Sequence, residues 1–348
     1  MSRLEADHLA RPDFAAIPRY SPGPDVEINL SENTNLWGTP PAAAAALREG
    51  VTAGVANYPN MYADSLKRVV AELVGVGTDC VVTGNGSDDV IDCAIRAFAS
   101  PGEKIAVPDP TFVMVPVFSR INSVIPVLVP LKSNHEMDCD AMLATGARII
   151  YLCSPNNPVP VSTPVEAMRN VIANAPGLVL LDEAYAEFAG ETGLLREAPA
   201  LQRLLVCRTL SKAYGLAGLR VGYATAAPNI IETIEKSRGP FKVNAQAERA
   251  AVAALTLDHE WVTARVAEAV ANRIRLDAGL RSLGFVPLPS RANFLLVPTP
   301  KAFEIAAHLR RHGIAVRPFR ALTGIGDAFR ITAGPWPLME RVLAVLRS

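Results

Sequence analysis

The run "GLVLLDEAYAEF", Gly177 to Phe188, sets five glycine or apolar residues directly before a carboxylate, Asp182. Its apolar part shows no alternation, so neither face of the strand it forms is left for water, as in a sheet covered on both sides. Runs of the same kind recur at 80–84 ("CVVTG"), 104–109 ("KIAVPD"), 124–130 ("VIPVLVP"), 147–153 ("ARIIYLC") and 203–209 ("RLLVCRT"). Amphipathic stretches such as "DSLKRVVAELVGV" (64–76) and "SDDVIDCAIRAFA" (87–99) lie between them. Strands alternating with helices predict an α/β domain with a mostly parallel central sheet flanked by helices.

Outward from that frame the character changes. Five prolines between Pro12 and Pro40 mark an extended arm. Residues 244–284 read as one helical stretch, broken near Asp258 and ended by Gly284. After it, "ANFLLVP" (292–298), "KAFEIAAHLRRHG" (301–313), "IAVRPF" (314–319) and "AFRITAG" (328–334) predict a small α+β domain. The expected division is an N-terminal arm at 1–40 packing on the small domain, a large domain at 41–240 and the small domain at 241–348.

The totals agree with two packed cores. The chain has 348 residues, half of them hydrophobic and a fifth charged. Lys+Arg and Asp+Glu are 34 each, a balance that points neither to nucleic acid nor to an anionic membrane. Five dispersed cysteines without a CxxC pair read as reduced thiols, and no structural metal is expected. The first residues lack a signal-peptide core and no apolar run spans a bilayer, so the expected setting is cytoplasmic.

In an open parallel sheet, ligands bind beyond the carboxyl ends of the strands. There, "GNGSDD" offers a tight turn at Gly84 and Gly86 and a helix start at Ser87 and Asp88. Those amides suit a phosphate, although an ordinary capped turn explains the segment taken alone. Phe112 in "PTF" is either a plate for a planar ring or a core aromatic. Asn157 in "SPNNP" is either a donor to a ring oxygen or part of an Asn-Pro turn. Asp182 at a buried strand end costs several kcal/mol, on the order of a buried unpaired charge, unless it meets a cation or donors. Tyr185, three residues on, can face the same crevice. "RTLSKAYGLAGLRVGY" (208–223) adds the hydroxyls of Thr209 and Ser211, the amine of Lys212 and the planar fork of Arg220. A phosphate cradle, an aromatic plate, a carboxylate, phenol-oxygen partners and an amine together match pyridoxal 5'-phosphate.

With these segments in view, the chain resembles the fold-type I pyridoxal-phosphate aminotransferases, and most closely the histidinol-phosphate aminotransferase family. "YSPG", "SEN", "YPN", "GNGSDD", "PDPTF", "SPNNP", "LDEAYAEF", "RTLSKAYGLAGLRVGY", "KVN" and "FRITAG" follow the family's order nearly end to end. The resemblance implies that Lys212 bonds covalently to the cofactor and later moves the substrate's proton, and that Asp182 pairs with the pyridinium nitrogen. Asn157 and Tyr185 would bind the phenolic oxygen, and Phe112 would stack on the ring. Ser87, Asp88, Thr209, Ser211 and Arg220 would hold the phosphate. Tyr58 would reach the phosphate of a neighbouring subunit, which implies a homodimer. Arg330 would grip the anionic group of a small-molecule amino donor, with Asn33, Tyr20 and Arg317 lining the pocket. The implied activity is amino transfer from histidinol phosphate or an aromatic or related amino acid to a 2-oxo acid such as 2-oxoglutarate, with ping-pong kinetics. A threonine-phosphate-type decarboxylase shares the site and is the alternative; a DNA-binding regulator on this fold would need a basic module that the arm is too short to supply.

Three departures bear on the substrate. "NPVP" (157–160) replaces the family's usual "NPTG". "SENTNLWG" (31–38) is two residues longer than the usual arm motif and is expected to bring Trp37 near the pocket mouth. Val115 stands where a tyrosine is common and is expected to make the pocket more apolar.

Overall fold

A computed structural model describes residues 11, 14, 17, 23, 25–52, 55–190 and 193–348. In chain order the elements are β1 (Ile28–Asn29), α1 (Pro41–Thr52), α2 (Asp64–Val74), β2 (Val81–Asn85), α3 (Ser87–Phe98), β3 (Lys104–Asp109), α4 (Met114–Ile121) and β4 (Ile125–Pro130). Then come α5 (Cys139–Ala144), β5 (Ile149–Cys153), α6 (Val165–Asn174), β6 (Leu178–Asp182), α7 (Ala186–Ala189), β7 (Leu204–Thr209), β8 (Val221–Thr225) and α8 (Pro228–Ser237). The last third holds α9 (Ala245–Leu257), α10 (His259–Ser282), β9 (Phe294–Pro298), α11 (Ala302–Arg311), β10 (Ile314–Ala315), β11 (Arg317–Leu322), β12 (Gly326–Thr332) and α12 (Trp336–Arg347).

The large sheet has seven strands in the order β2-β8-β7-β6-β5-β3-β4. All six strands read from apolar runs are in it, and β5 and β6 are buried along their whole length. The seventh, β8, runs antiparallel to both of its neighbours, β2 and β7. Two apolar clusters cover the sheet's faces, one containing Ile150, Leu152 and Leu181, the other Ile149, Tyr151 and Leu180. The period-2 alternation of strand side chains sends neighbours in one run to opposite clusters, which is why those runs carry no polar face.

A second, antiparallel sheet of three strands, β11-β12-β9, packs with α12 and the C-terminal half of α10 around Leu276, Leu295, Phe329 and Met339. The arm enters this unit as β1, paired in parallel with β10, and its Ile28 and Leu30 join the same cluster. Arg11 instead reaches the large sheet's side, donating to the carbonyl of Ile121 at 3.4 Å and to Ser123 Oγ at 2.6 Å. The helical stretch breaks at Asp258, whose carboxylate accepts from the amides of Ala42 and Ala43 at 3.0 Å each. Its first half, α9, packs its alanine face against α1 and α2 in the cluster under the large sheet, so the apolar face of α9 goes with the large unit although it lies beyond residue 240. The five cysteines are buried thiols. Among the described residues, no helix is long and apolar enough to cross a membrane.

Candidate active site

The carboxyl ends of β5, β6 and β7, the start of α3 and the loop after β7 surround a cavity of about 610 Å³. Arm residues 31–34 and the strands β11 and β12 close it from the small unit. Both Asp182 and Lys212 line it.

Asp182 ends β6 and is buried. Its Oδ1 accepts from the amide of Ala184 at 3.0 Å and its Oδ2 from the Tyr151 hydroxyl at 2.9 Å. Burial pushes its carboxyl up to about 6, against which those two donors pull it down. At neutral pH the group is therefore still mostly ionised.

Lys212 sits in the turn after β7. Its Nζ donates to the backbone carbonyl of Glu32 at 2.9 Å, and the next carbonyl, that of Ala213, accepts from Asn35 Nδ2 at 2.9 Å. Burial, followed by the Arg330 charge, lowers the amine to about 8, with Arg220 adding to the effect and Asp88 and Glu32 opposing it.

At the α3 end of the cavity, Gly86 adopts φ +86°, and a Cβ there would come within 2.5 Å of Arg220 Nη2. A Cβ on Gly222 of β8 would meet the backbone nitrogen of Ser87 at 2.2 Å. These two glycines let β8 and Arg220 approach the first amides of a 12-residue helix. Arg220 Nη2 donates to Asp88 Oδ2 at 3.2 Å, and Ser211 accepts from Thr209 Oγ1 at 3.0 Å and from Arg220 Nη1 at 3.4 Å. Ser87, Asp88, Thr209, Ser211 and Arg220 all line this end.

Phe112 and Asn157 line the cavity as well. Asn157 Oδ1 accepts from Arg330, which turns the amide nitrogen to the other side; Arg330 also donates to the carbonyl of Ser31. Arg317 is the register partner of Arg330 across β11 and β12, and both line the cavity. Tyr185 Oη accepts from Asn33 Nδ2 at 3.0 Å, so its own hydrogen remains to donate. Asn33 is 1% exposed and also meets Thr332 and Asn293, so it braces Tyr185 from a locked position while its edge lines the pocket.

Two expected placements are corrected. Val115 is 0% exposed and packs in the cluster with Ile91 and Tyr151; the first turn of α4 rotates it inward and presents Val113 and Met114 to the cavity. Trp37 is not at the mouth either: Asn35 Oδ1 accepts from its backbone nitrogen at 2.9 Å, and the resulting turn folds its ring against the cluster of Tyr185 and Phe294. In the "NPVP" segment, Val159 is buried against Leu296 and Ala328, and the Pro160 carbonyl accepts from the Arg291 amide at 2.8 Å. Tyr58 lies away from this chain's own cavity, 84% exposed and stacked on Phe241 at 4.7 Å between centroids. Tyr20 falls outside the described residues.

Sequence reasoning missed Tyr151 and the backbone of residues 31 and 32. The carbonyls carry no residue signature. Tyr151 does carry one, since a phenol inside an otherwise apolar buried strand needs a partner.

Comparison with known proteins gives the family and the fold. The family described as aminotransferase class I and II matches residues 25–346. Histidinol-phosphate aminotransferase 1 of Nostoc sp. is 31% identical over 97% of this chain and 97% of its own length. An aromatic amino acid aminotransferase of Corynebacterium glutamicum strain R is 37% identical over 89% of this chain and 92% of its own. The crystal structure of histidinol-phosphate aminotransferase from Sinorhizobium meliloti, in complex with pyridoxal-5'-phosphate, has the same fold, with a TM-score of 0.87, 24% identity and 97% of both chains covered. A large mostly parallel sheet, a strand-end cavity with a lysine and a buried aspartate, and a family match over nearly the whole chain lead to one assignment: this chain belongs to the class I and II aminotransferases, as a fold-type I, pyridoxal-phosphate-dependent transaminase resembling the histidinol-phosphate aminotransferases.

Proposed function

We propose that the enzyme moves an amino group between an amino donor, histidinol phosphate or an aromatic or related amino acid, and a 2-oxo acid such as 2-oxoglutarate. The observation that carries this reading is that Lys212, Asp182 and the Ser87–Arg220 cradle border one cavity.

The residues present fit pyridoxal phosphate. The cradle that a Cβ on Gly86 or Gly222 would fill offers helix-start amides, two hydroxyls and a guanidinium, a donor set for a phosphate. Asp182 offers an anionic oxygen to a protonated ring nitrogen. Asn157 and Tyr185 each retain a hydrogen to donate toward a phenolic oxygen, and Phe112 offers a ring face. Bound pyridoxal phosphate supplies an electron-withdrawing ring that makes the proton on the substrate's Cα removable.

Lys212 would anchor the cofactor, and its Nζ would hold the proton taken from the substrate's Cα. An amine held near 8 is roughly one-tenth unprotonated at pH 7, enough to act as nucleophile and base near neutrality. Arg330 and Arg317 set two like charges opposite each other across a strand pair, an arrangement favoured by a shared anion. They are the proposed seat of the donor's phosphate or carboxylate. Donor and acceptor use the same cavity in turn, which implies ping-pong kinetics. The exposure of Tyr58, together with exposed Val51, Val55 and Met61 nearby in sequence, supports a homodimer in which Tyr58 enters the partner's site. A cytoplasmic enzyme is inferred.

Lys212→Ala is expected to lose the visible absorbance band that borohydride removes from wild type; a retained band overturns the assignment of this lysine. A panel of amino donors assayed with 2-oxoglutarate should yield the keto product. Carbon dioxide in its place would overturn transamination in favour of a decarboxylase.

A further inference from the structure

We infer that Tyr151 is a positioning residue for the reaction: from the middle of β5 its hydroxyl orients the Asp182 carboxylate for the ring nitrogen of the cofactor. The inference rests on the reading of Asp182 given under Proposed function.

The geometry follows from strand register. Cys153 is the register partner of Asp182 and Tyr151 that of Leu180, so Tyr151 lies two residues back on the same sheet face as Cys153. A short side chain at 151 would stop beside Leu180. A phenol is long enough to lean along the strand and reach Asp182 Oδ2, at 2.9 Å. The Ala184 amide takes Oδ1 from the other side. With one donor on each oxygen, the carboxylate plane is fixed, and its remaining lone pairs are available to the cavity that Asp182 lines.

Tyr151 itself does not line the cavity; it is 0% exposed in the cluster with Ile105 and Leu180. Its hydroxyl is the one side-chain donor given to Asp182 among the described residues. The other titratable groups acting on the carboxylate are Asp88 and Glu183, and the thiols Cys153 and Cys207 flank it from β5 and β7. The two carboxylates oppose ionisation of Asp182, whereas the phenol favours it. A merely structural tyrosine would fill space; this one also keeps a buried acid charged.

The experiment is a double-mutant cycle on the holoenzyme, reading release of pyridoxal phosphate by absorbance and fluorescence from pH 5.5 to 8.5. Tyr151→Phe keeps the ring and removes only the oxygen. It is expected to weaken cofactor retention about tenfold at pH 7, the scale of a hydrogen bond to a charged group. The loss should grow as pH falls, because Asp182 then takes up its proton at a higher pH than in wild type. In an Asp182→Asn background, the same Tyr151→Phe change should have no pH-dependent effect. Wild-type retention and an unmoved pH profile in Tyr151→Phe overturn the inference. So does an equal, pH-independent loss in both backgrounds, which marks a packing role. If Asp182→Asn alone retains the cofactor like wild type, the reading of Asp182 itself fails, an outcome distinct from a silent Tyr151→Phe.

Discussion

Asp182 has a cost that cofactor binding must offset. In the folded chain without cofactor its carboxyl binds a proton with a midpoint near 6, against 3.8 for the ordinary group. The folded state therefore holds more proton than the unfolded one across that interval, so this group lowers stability progressively as pH rises through it. Above the window the penalty is complete, on the order of 3 kcal/mol. Asp182→Asn should accordingly raise the melting temperature of the cofactor-free protein at pH 8, and by roughly half as much at pH 5, which lies inside that interval. With pyridoxal phosphate present the wild type should be the more stable of the two. Calorimetry at both pH values checks this; a cofactor-free wild type as stable as the variant at pH 8 would refute it. At this scale the sequence was legible wherever a charge interrupts an apolar run, as at Asp182, Lys212 and Arg220, since burial makes such charges expensive without a partner. Glu32 contributes a backbone oxygen to Lys212, and nothing in a side chain announces that.

Among the elements, the strands between Val81 and Thr209 were legible because sheet burial on both faces leaves uninterrupted apolar runs. β8, "VGYAT", was not separated from the segment before it: five residues with a glycine carry little strand signal. Yet that glycine decides where the strand can lie. Gly222 lets β8 pass against the first amide of α3, and Gly222→Ala would force a Cβ to 2.2 Å from Ser87 N. Backbone has to shift there, so a loss of about 2 kcal/mol in stability is expected, as for overpacked sites. Cofactor retention should fall with it, because Ser87 and Arg220 move apart. An alanine variant with wild-type melting and retention would show that the approach is not needed. Val115 and Trp37 were misplaced for a related reason. Their position in a motif was clear, but helix phase and an Asn35 turn decide which way they face.

For the molecule as a whole, the proposed partner is a second copy. Tyr58→Phe preserves the stack on Phe241 and removes only the hydroxyl, so the fold should be unaffected. Faster loss of pyridoxal phosphate on dilution is the expected result if this phenol reaches the neighbouring cavity. Full activity in a species that light scattering shows to be monomeric would count against the shared site. Within one copy, the division into a large α/β unit and a smaller α+β unit was readable from periodicity, whereas the allegiance of α9 was not. Its alanines match either unit by composition, and only contact with α1 and α2 assigns them.

Residues 31–35 grip Arg330, Lys212, Tyr185 and the Ala213 carbonyl in turn, while residues 28–33 are themselves held by Ala315, Thr332 and Asn293. During synthesis, residues 28–33 therefore find their seat only after strands some 299 positions further along have been made. A chain cut before Thr332 loses the hydroxyl that holds the Asn33 amide, and with it the brace behind the residues that meet Lys212 and Tyr185.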